Sequence, residues 1–298
     1  MIRFGPSGNS DSFYEQGYKS SVDMPEWLAN MGLSAYEYQC SRGVNISEST
    51  ARKLGENAWA KDIFLSVHAP YYINMASEEK EKREKSIGYV LDTLMAAKWM
   101  GAKRVVIHTG SVGKGNRDRA FKTAVSTLLE TIRQADAMGY GDITLCPEVL
   151  GKMNQLGSLE EILEMCKLDE RLIPTIDFGH LHARGLGALN SIDDFEKVII
   201  TIENAIGYDR LKNLHCHFSR VEFTAGGEKK HWRISDDQYG PEFEYLAEVL
   251  IKKAMEPVII CESRNYMAED ALELKNIYEN ALTGVKKNGK ESIGHKRA

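Results

Sequence analysis

The chain has 298 residues, of which 43% are hydrophobic and 27% are charged, and it contains only 7 prolines. This composition excludes a disordered or fibrous protein and allows a sizeable apolar core. The formal net charge of -5 excludes a global attraction to nucleic acid, so such binding would need a local basic surface. No apolar run approaches the roughly 18 residues of a membrane span, and the N-terminus lacks a signal-peptide pattern. We therefore expect a cytoplasmic protein.

Eight short apolar or β-branched runs predict strands, at residues 2–4, 33–39, 63–68, 104–108, 143–148, 173–177, 211–217 and 258–262. Segments with helical periodicity lie between or after them, at about 80–100, 120–138, 158–166, 192–205, 241–253 and 268–282. This alternation predicts an α/β protein with a single (β/α)8 TIM barrel over residues 1–282. A doubly wound sheet is the alternative.

Three further segments complete the organisation. Residues 283–298 carry several lysines without apolar periodicity, which predicts a flexible basic tail. Long loops are expected at 109–119, after the fourth strand, and at 218–239, after the seventh. In a barrel, loops that follow strands border the catalytic face.

The five cysteines form no CxxC pair, and their number is odd. This pattern argues against a disulfide framework and against a cysteine zinc knuckle. We expect Cys40, Cys146, Cys166, Cys216 and Cys261 to be reduced.

Chemistry-bearing side chains collect at the ends of the predicted strands. Seven of the eight histidines do so, namely His68, His108, His180, His182, His215, His217 and His231. Glu148, Asp177 and Glu262 end the fifth, sixth and eighth strands. A carboxylate beside a buried strand is costly unless it is paired or holds a metal ion.

In a barrel, these side chains would surround one axis at one rim. Mixed imidazole and carboxylate ligands suit zinc, manganese or iron, and the absence of clustered thiolates argues against an iron–sulfur site. The ligands are too many for one ion, so the sequence predicts two or three, with Glu148 as a bridge. A purely structural polar layer is the alternative. Paired ions clamp both oxygens of a phosphate ester during hydrolysis, although a sugar isomerase would use a similar rim.

The ordered segments SVHAPYYIN, VVIHTG, PEVLG, IDFGH, LHCHFS, GEKKH and ICES resemble the endonuclease IV family of apurinic/apyrimidinic endonucleases. Members of that family are (β/α)8 barrels with a zinc cluster that cut DNA 5′ to an abasic site. The resemblance implies that one ion is held by His68, His108 and Glu148, a second by Glu148, Asp177, His215 and Glu262, and a third by His180 and His231. Glu148 and Glu262 would be the catalytic carboxylates. Tyr71 would match a tyrosine used at the DNA, with packing on the next loop as the alternative.

The chain also departs from the family pattern. Family members begin with Gly-Ala-His-x-Ser and carry a DNA-probing loop after the second strand, whereas this chain has FGPSG at 4–8 and YQCSRG at 38–43. The third metal motif is normally Asp-x-His, but Lys229 stands two residues before His231, and Glu228 is displaced by one. Either Glu228 reaches in or the third site is lost. His182 and His217 either orient ligands or are structural.

Basic and aromatic residues in the rim loops are candidates for DNA contacts. The basic ones are Lys114, Arg117, Arg119, Lys229, Lys230, Arg233 and Arg264, which could pair phosphates. Tyr71, Tyr72 and Trp232 could add stacking surfaces for an unstacked backbone or sugar. A solvated charged face and packing within the loops are the alternatives.

Together these features predict a zinc-dependent hydrolase that cleaves abasic DNA in base excision repair. We expect a monomer with no membrane or protein partner. The first alternative is a sugar isomerase or epimerase of the xylose isomerase-like barrels, which the altered DNA loops and acidic charge favour. The second is a non-catalytic metal-bound barrel that binds damaged DNA.

Overall fold

The structure is a computed structural model that describes the backbone of residues 1–294 and the side chains of residues 1–284. Within this part of the chain, the strands are β1 (Arg3–Pro6), β2 (Ala35–Gln39), β3 (Phe64–His68), β4 (Arg104–Ile107), β5 (Thr144–Pro147), β6 (Thr175–Asp177), β7 (His215–Phe218), β8 (Arg220–Thr224), β9 (Gly227–Trp232) and β10 (Val258–Cys261). The α-helices are α1 (Asp11–Glu15), α2 (Met24–Asn30), α3 (Glu48–Ala60), α4 (Lys80–Met100), α5 (Arg117–Ala137), α6 (Leu159–Cys166), α7 (Phe178–Arg184), α8 (Ile192–Ile206), α9 (Tyr208–Lys212), α10 (Phe243–Lys252) and α11 (Met267–Gly294).

Eight of these strands form a closed parallel barrel. The order β2-β3-β4-β5 makes one half, and β1-β10-β7-β6 makes the other. Two seams join the halves through parallel bridges, Ser7 with Glu37 and Glu148 with Thr175. The predicted (β/α)8 barrel is therefore confirmed.

A glycine permits the first seam. A Cβ atom built on Gly5 would lie 1.8 Å from the carbonyl oxygen of Ala35, so only glycine lets β1 approach β2 this closely. The same approach brings Ser7 beside Glu37, at the rim where the candidate site lies.

Strand alternation separates the apolar core from the polar interior of the barrel. On β7, Cys216 and Phe218 point outward, and the ring of Phe218 packs 4.9 Å from that of Phe243 on α10. His215 and His217 take the alternate positions and face inward. Most of the apolar core therefore lies between strands and helices, which leaves the barrel interior free for ionisable groups.

The helices that pack on the barrel follow from sequence signals. The helix predicted at 80–100 coincides with α4, which ends at the left-handed Gly101. α6 begins with a capping box in which Ser158 and Glu161 satisfy each other's backbone N–H groups. Such local signals explain why the predicted helices agree with the structure to within a few residues, α11 excepted.

Two expectations differ from the structure. The region 218–239, expected to be a loop, contains the antiparallel hairpin of β8 and β9. Helices α1, α2, α3, α7 and α9 were not predicted. The basic tail was expected from residue 283, whereas α11 continues to Gly294. Residues 295–298 lie outside the described residues, so the flexibility of the tail stays a prediction.

All five cysteines are free thiols in buried positions, as expected from their spacing. Among the described residues, no helix combines the length and apolarity needed to cross a membrane.

Candidate metal centre

Among the described residues, histidine and carboxylate side chains form five groups that could hold a metal ion. Two of them include the buried Glu37, one with His215 and His217 and one with His68 and Glu262. The other three adjoin one another at the carboxyl ends of the barrel strands. They are His68, His108 and Glu148; Glu148, Asp177, His217 and Glu262; and His180, Glu228 and His231. Within each group the candidate ligand atoms lie within 4.8 Å of one another. Most of these side chains are buried, which makes an unfilled arrangement of lone pairs costly.

The first group is formed by the ends of β3, β4 and β5. His68 Nε2 lies 3.2 Å and His108 Nε2 lies 3.0 Å from the same oxygen of Glu148, Oε2. This arrangement is the one that the resemblance implies for the first ion.

The second group has unsatisfied polar atoms. Asp177 Oδ1 caps α7 by accepting a hydrogen bond from the His180 N–H at 2.7 Å, which leaves Oδ2 free. Glu148 Oε1, Asp177 Oδ2 and both ring nitrogens of His217 are buried and form no hydrogen bond among the described residues. Yet His217 Nδ1 lies 3.3 Å from Glu148 Oε1 and 3.4 Å from Glu262 Oε1. Buried acceptors that converge in this way fit a metal cation.

The structure places His217 in the second group, where the resemblance implies His215. In the ladder between β6 and β7, His217 is level with Asp177, whereas His215 is level with Thr175, deeper in the barrel. His215 Nε2 donates a hydrogen bond to Glu37 Oε2 at 2.9 Å. Both histidines face inward. Only the register of β7 with β6 shows that His217, and not His215, lies at the rim.

The third group contains the displaced carboxylate. His180 Nε2 lies 3.3 Å from His231 Nε2 and 3.5 Å from Glu228 Oε2. A β-bulge explains the placement, because β8 pairs Glu222 with Lys230 but Phe223 with Glu228, which leaves Lys229 unpaired. The extra residue puts Glu228 and His231 on one face, as a spacing of two would in a regular strand. Of the two outcomes considered, Glu228 reaches in.

Two glycines allow the hairpin to dock beside this group. A Cβ atom on Gly151 would lie 2.5 Å from the Cβ of Glu228 and 2.9 Å from Cδ2 of His180. Gly227 has φ +90, and its Cβ would lie 2.2 Å from the carbonyl oxygen of Gly151. The glycine of PEVLG and the second glycine of the 226–227 pair therefore serve the third group.

Three histidines are held at Nδ1 and present Nε2 to the centre. The Nδ1 of His68 donates to the carbonyl oxygen of Ala69 at 2.7 Å, and the Nδ1 of His180 donates to that of Val149 at 2.9 Å. The Nδ1 of His231 lies at hydrogen-bond distance, 2.8 Å, from Ser219 Oγ. Such contacts fix the ring orientation and leave the other nitrogen to a metal ion. The residues present thus fit metal ions in all three groups.

The charges of the centre are strongly coupled. Burial acts to raise the pKa of Glu148, but His108, His217 and His68 outweigh it and hold that pKa well below its usual value. Burial acts to lower the pKa of His68 and His231, yet the surrounding carboxylates raise each to about 9. Burial also acts to raise the pKa of Glu228, but His231 and His180 outweigh it and lower that pKa to about 2. Without metal, protons therefore compensate the carboxylates.

Burial lowers the pKa of two further histidines, His215 and His182. Burial lowers the pKa of His215 to about 4 despite Glu37. Burial also lowers the pKa of His182, whose Nδ1 accepts a hydrogen bond from the Leu189 N–H at 3.2 Å. His182 ties α7 to the following loop, so its structural interpretation fits better than a role in orienting ligands.

Three residues expected to contact substrate are instead engaged within the protein. Arg117 donates to both oxygens of Glu161, at 2.7 and 2.8 Å, and to two backbone carbonyls. Arg233 forms an ion pair of 2.7 Å with Asp270, and Lys229 pairs with Glu222. These bonds hold the three side chains against carboxylates of the protein, so a phosphate would have to compete with those partners.

Other rim residues remain accessible. Tyr71 is 63% exposed directly after β3, while Tyr72 is 41% exposed and packs edge-on against Tyr89 of α4. Lys114, Arg119 and Arg264 are exposed in loops or at a helix start on the same rim. Lys230 lies over the Trp232 ring, 3.8 Å from its centroid. The available basic surface is thus smaller than expected.

Sequence inspection missed Glu37, Ser7 and Gln39, which lie beside the centre. Ser7 Oγ donates to Glu262 Oε1 at 3.0 Å, and Gln39 Nε2 donates to Ser7 Oγ at 2.5 Å. Glu37 is fully buried on β2. The signal that could have revealed it is a glutamate in the middle of the predicted buried strand AYEYQ, where a charged side chain needs a partner.

Comparisons with known proteins agree with this architecture. The family model for the xylose isomerase-like TIM barrel matches residues 25–283. An uncharacterised protein of Methanocaldococcus jannaschii is 31% identical over 278 residues, covering 93% of this chain and 97% of that protein. A probable endonuclease 4 of Staphylococcus carnosus is 28% identical over 225 residues, covering 73% and 72%.

A solved structure extends the comparison. A D-tagatose 3-epimerase-like protein has a TM-score of 0.68 at 23% identity, covering 90% of this chain and 97% of that chain. At this identity the likeness shows the fold alone. The family model spans most of the chain, and the archaeal relative is similar over nearly its whole length. The chain therefore belongs to the xylose isomerase-like TIM barrel family.

Proposed function

We propose that this protein is a metal-dependent phosphodiesterase that cleaves DNA 5′ to abasic sites, as part of base excision repair. The observation that carries the proposal is the position of Glu148. Its Oε2 faces His68 and His108, while its Oε1 faces His217 of the second group. One buried carboxylate whose two oxygens serve two ligand groups is suited to bridge two metal ions.

The third group extends the same argument. His180, Glu228 and His231 supply three further ligand atoms beside the bridged pair, so the centre can hold three ions. Zinc fits the mixture of imidazole and carboxylate, and manganese and iron are compatible with it. When bound, such ions supply an activated water and stabilise the charge that develops on a phosphate ester.

The protein groups orient and enclose this chemistry. Ser7 holds one oxygen of Glu262 at 3.0 Å, which leaves the partly exposed carboxylate at the mouth of the centre as ligand or base. The buried histidines around Glu148 keep it ionised and exclude bulk water from it. Because Glu148 is enclosed in this way, it is better suited to bridge two metal ions than to transfer a proton to a sugar carbon.

The substrate class rests on the rim and on the relatives. Tyr71 is exposed three residues after His68 of the first group, and an exposed aromatic ring can stack on a base or sugar. Lys114, Arg119 and Arg264 lie on the same face and can contact phosphates. The resemblance to endonuclease IV, together with the probable endonuclease 4 among the relatives, supports abasic DNA as substrate.

A sugar epimerase is the second candidate, and one observation favours it. Glu148, Asp177, His217 and Glu262 alone could hold a single ion, and the fold also matches a D-tagatose 3-epimerase-like protein. It leaves the first and third histidine groups without a role, which is why we rank it second.

The test is cleavage of a 5′-labelled duplex with one abasic site by protein whose metal content has been counted. We expect a single cut 5′ to the site, lost in Glu148→Gln and kept in Glu160→Gln, the same change on the exposed face of α6. A folded Glu148→Gln protein with full activity would overturn the proposal. So would a metal-loaded wild type that leaves this DNA intact but interconverts ketoses.

A further inference from the structure

Among the described residues, the ring of His217 makes no hydrogen bond to a backbone carbonyl or a hydroxyl, in contrast to three other histidines of the centre. His68, His180 and His231 are each held at Nδ1 and present Nε2. His217 is reversed, because its Nδ1 faces Glu148 and Glu262 while its Nε2 points into the barrel. The group that faces this inner nitrogen is a carboxylate: Glu37 Oε1 lies at an ion-pair distance of 3.1 Å from Nε2, although the pair does not meet the geometry of a hydrogen bond.

Glu37 is itself held firmly. Its Oε2 accepts hydrogen bonds from Ser66 Oγ at 2.8 Å and from His215 Nε2 at 2.9 Å. Gln39 lies 3.4 Å from its Oε1. All of the side chains that surround the carboxylate come from the barrel interior, and Glu37, Ser66 and His215 are fully buried.

We infer that Glu37 is a positioning residue that fixes the ring of His217 so that Nδ1 serves as a metal ligand. A carboxylate behind a ligating imidazole selects the tautomer with the proton on the far nitrogen and raises the basicity of the ligating one. Here the far nitrogen is Nε2, and the ligating nitrogen is Nδ1. The inference rests on the proposed metal centre.

Glu37 also links the ligand groups. Gln39, which lies beside Glu37, donates to Ser7, and Ser7 donates to Glu262. His215 adds the second support below Glu37. The buried layer beneath the rim is therefore a scaffold for the second ligand group, and it gives His215 the role of holding Glu37.

The test uses cobalt(II) as the probe, with wild-type protein, Glu37→Gln and Ser66→Ala compared after metal removal and reloading. Glu37→Gln keeps the size of the side chain but removes its charge. We expect its weakest-bound cobalt to lose about 10- to 100-fold in affinity, measured by competition with a chelator. The visible absorption band of the cobalt should also change. Ser66→Ala, which removes one of the bonds to Glu37, should shift both readouts in the same direction by less.

A control separates positioning from folding. Glu160→Gln makes the same chemical change on the exposed face of α6 and should leave cobalt affinity and spectrum as in wild type. A purely structural Glu37 would change the unfolding temperature of the variant but not these readouts. If Glu37→Gln does not fold, Ser66→Ala carries the test by itself.

The outcomes are distinct. Folded variants with wild-type affinity and an unchanged spectrum would overturn the role of Glu37 while leaving the proposed function intact. Loss of one whole cobalt equivalent, with the spectrum of the others unchanged, would make Glu37 a ligand and also overturn it. A wild-type protein that binds no cobalt would reject the metal centre and this inference together.

Discussion

The centre and the loops around it use charged side chains in opposite ways. In the centre, Glu148, Asp177 and His217 are buried with polar atoms that lack hydrogen bonds among the described residues. In the loops, Arg117 and Arg233 are close to the surface, yet their guanidinium groups are bound to carboxylates of the protein. The comparison indicates that groups which bind a metal ion or substrate are marked by polar atoms without a hydrogen bond inside the protein, more than by their charge or position.

The largest effect should come from replacing each of the two histidines of β7 separately by glutamine. His217→Gln should lose the ion of the second group and all cleavage, because a ligand is removed. His215→Gln keeps an amide donor for Glu37, so it should weaken that ion by no more than the 10- to 100-fold typical of supporting residues. Metal counts and cleavage rates on both variants measure this. A His215 variant that behaves like the His217 variant would restore the assignment implied by the resemblance.

Metal affinity should depend on pH with a definite sign. The pKa of His68 and of His231 is about 9 in the metal-free protein, so both carry protons at pH 7 that an ion must displace. Affinity should therefore rise from pH 7 to 9, by up to about tenfold per pH unit for each proton displaced.

Zinc titrations by calorimetry in two buffers of different ionisation enthalpy count the released protons directly. At pH 7 we expect proton release on loading, and at pH 9.5 much less. An affinity that is the same at both pH values would contradict the charge compensation described for the centre.

The basic residues of the rim should separate into two classes. Arg117→Met should lower the free energy of unfolding by about 1–2 kcal/mol, since it breaks partly exposed charged hydrogen bonds, and leave DNA binding unchanged. Arg119→Met should leave stability unchanged and reduce the salt dependence of DNA binding by about one phosphate contact. Urea unfolding and binding titrations at several salt concentrations test both. If Arg117→Met changed DNA binding and Arg119→Met changed stability instead, the division of the basic rim residues into two classes would be wrong.

The smallest effect is expected from deleting Lys229. The deletion removes the bulge but keeps the pairs of Val221 with His231 and of Phe223 with Glu228. The third group should therefore still hold its ion, as counted by mass spectrometry. Loss of one equivalent on deletion would mean that the bulge itself shapes the site.

Sequence reasoning recovered the barrel because the eight strands are short and apolar, and each strand from the third onward is followed by a predicted periodic helix. It also located most side chains of the centre, since parallel strands that end at one rim bring their last residues together. It could not choose between His215 and His217, because both face inward and only the register of β7 with β6 separates them. The position of Glu228 likewise depended on a bulge that spacing alone does not reveal.

The loops were the harder part for a physical reason. The partners of Arg117 and Arg233 are distant in sequence, at Glu161 and Asp270, and no local pattern announces such pairs. Glu37 was missed because its role comes from contacts with β3 and β7. In this protein, local sequence patterns identify most of the candidate ligands. Tertiary contacts decide which charged side chains are paired within the protein and which stay available to a ligand.

The most direct test of the central claim is a crystal structure of the zinc-loaded protein with anomalous data on both sides of the zinc edge. We predict three anomalous peaks at the rim, two of them bridged by Glu148, with His217 on the second and Glu228 on the third. A single peak held by Glu148, Asp177, His217 and Glu262, in protein loaded with excess zinc, would contradict the account and favour a sugar-converting barrel.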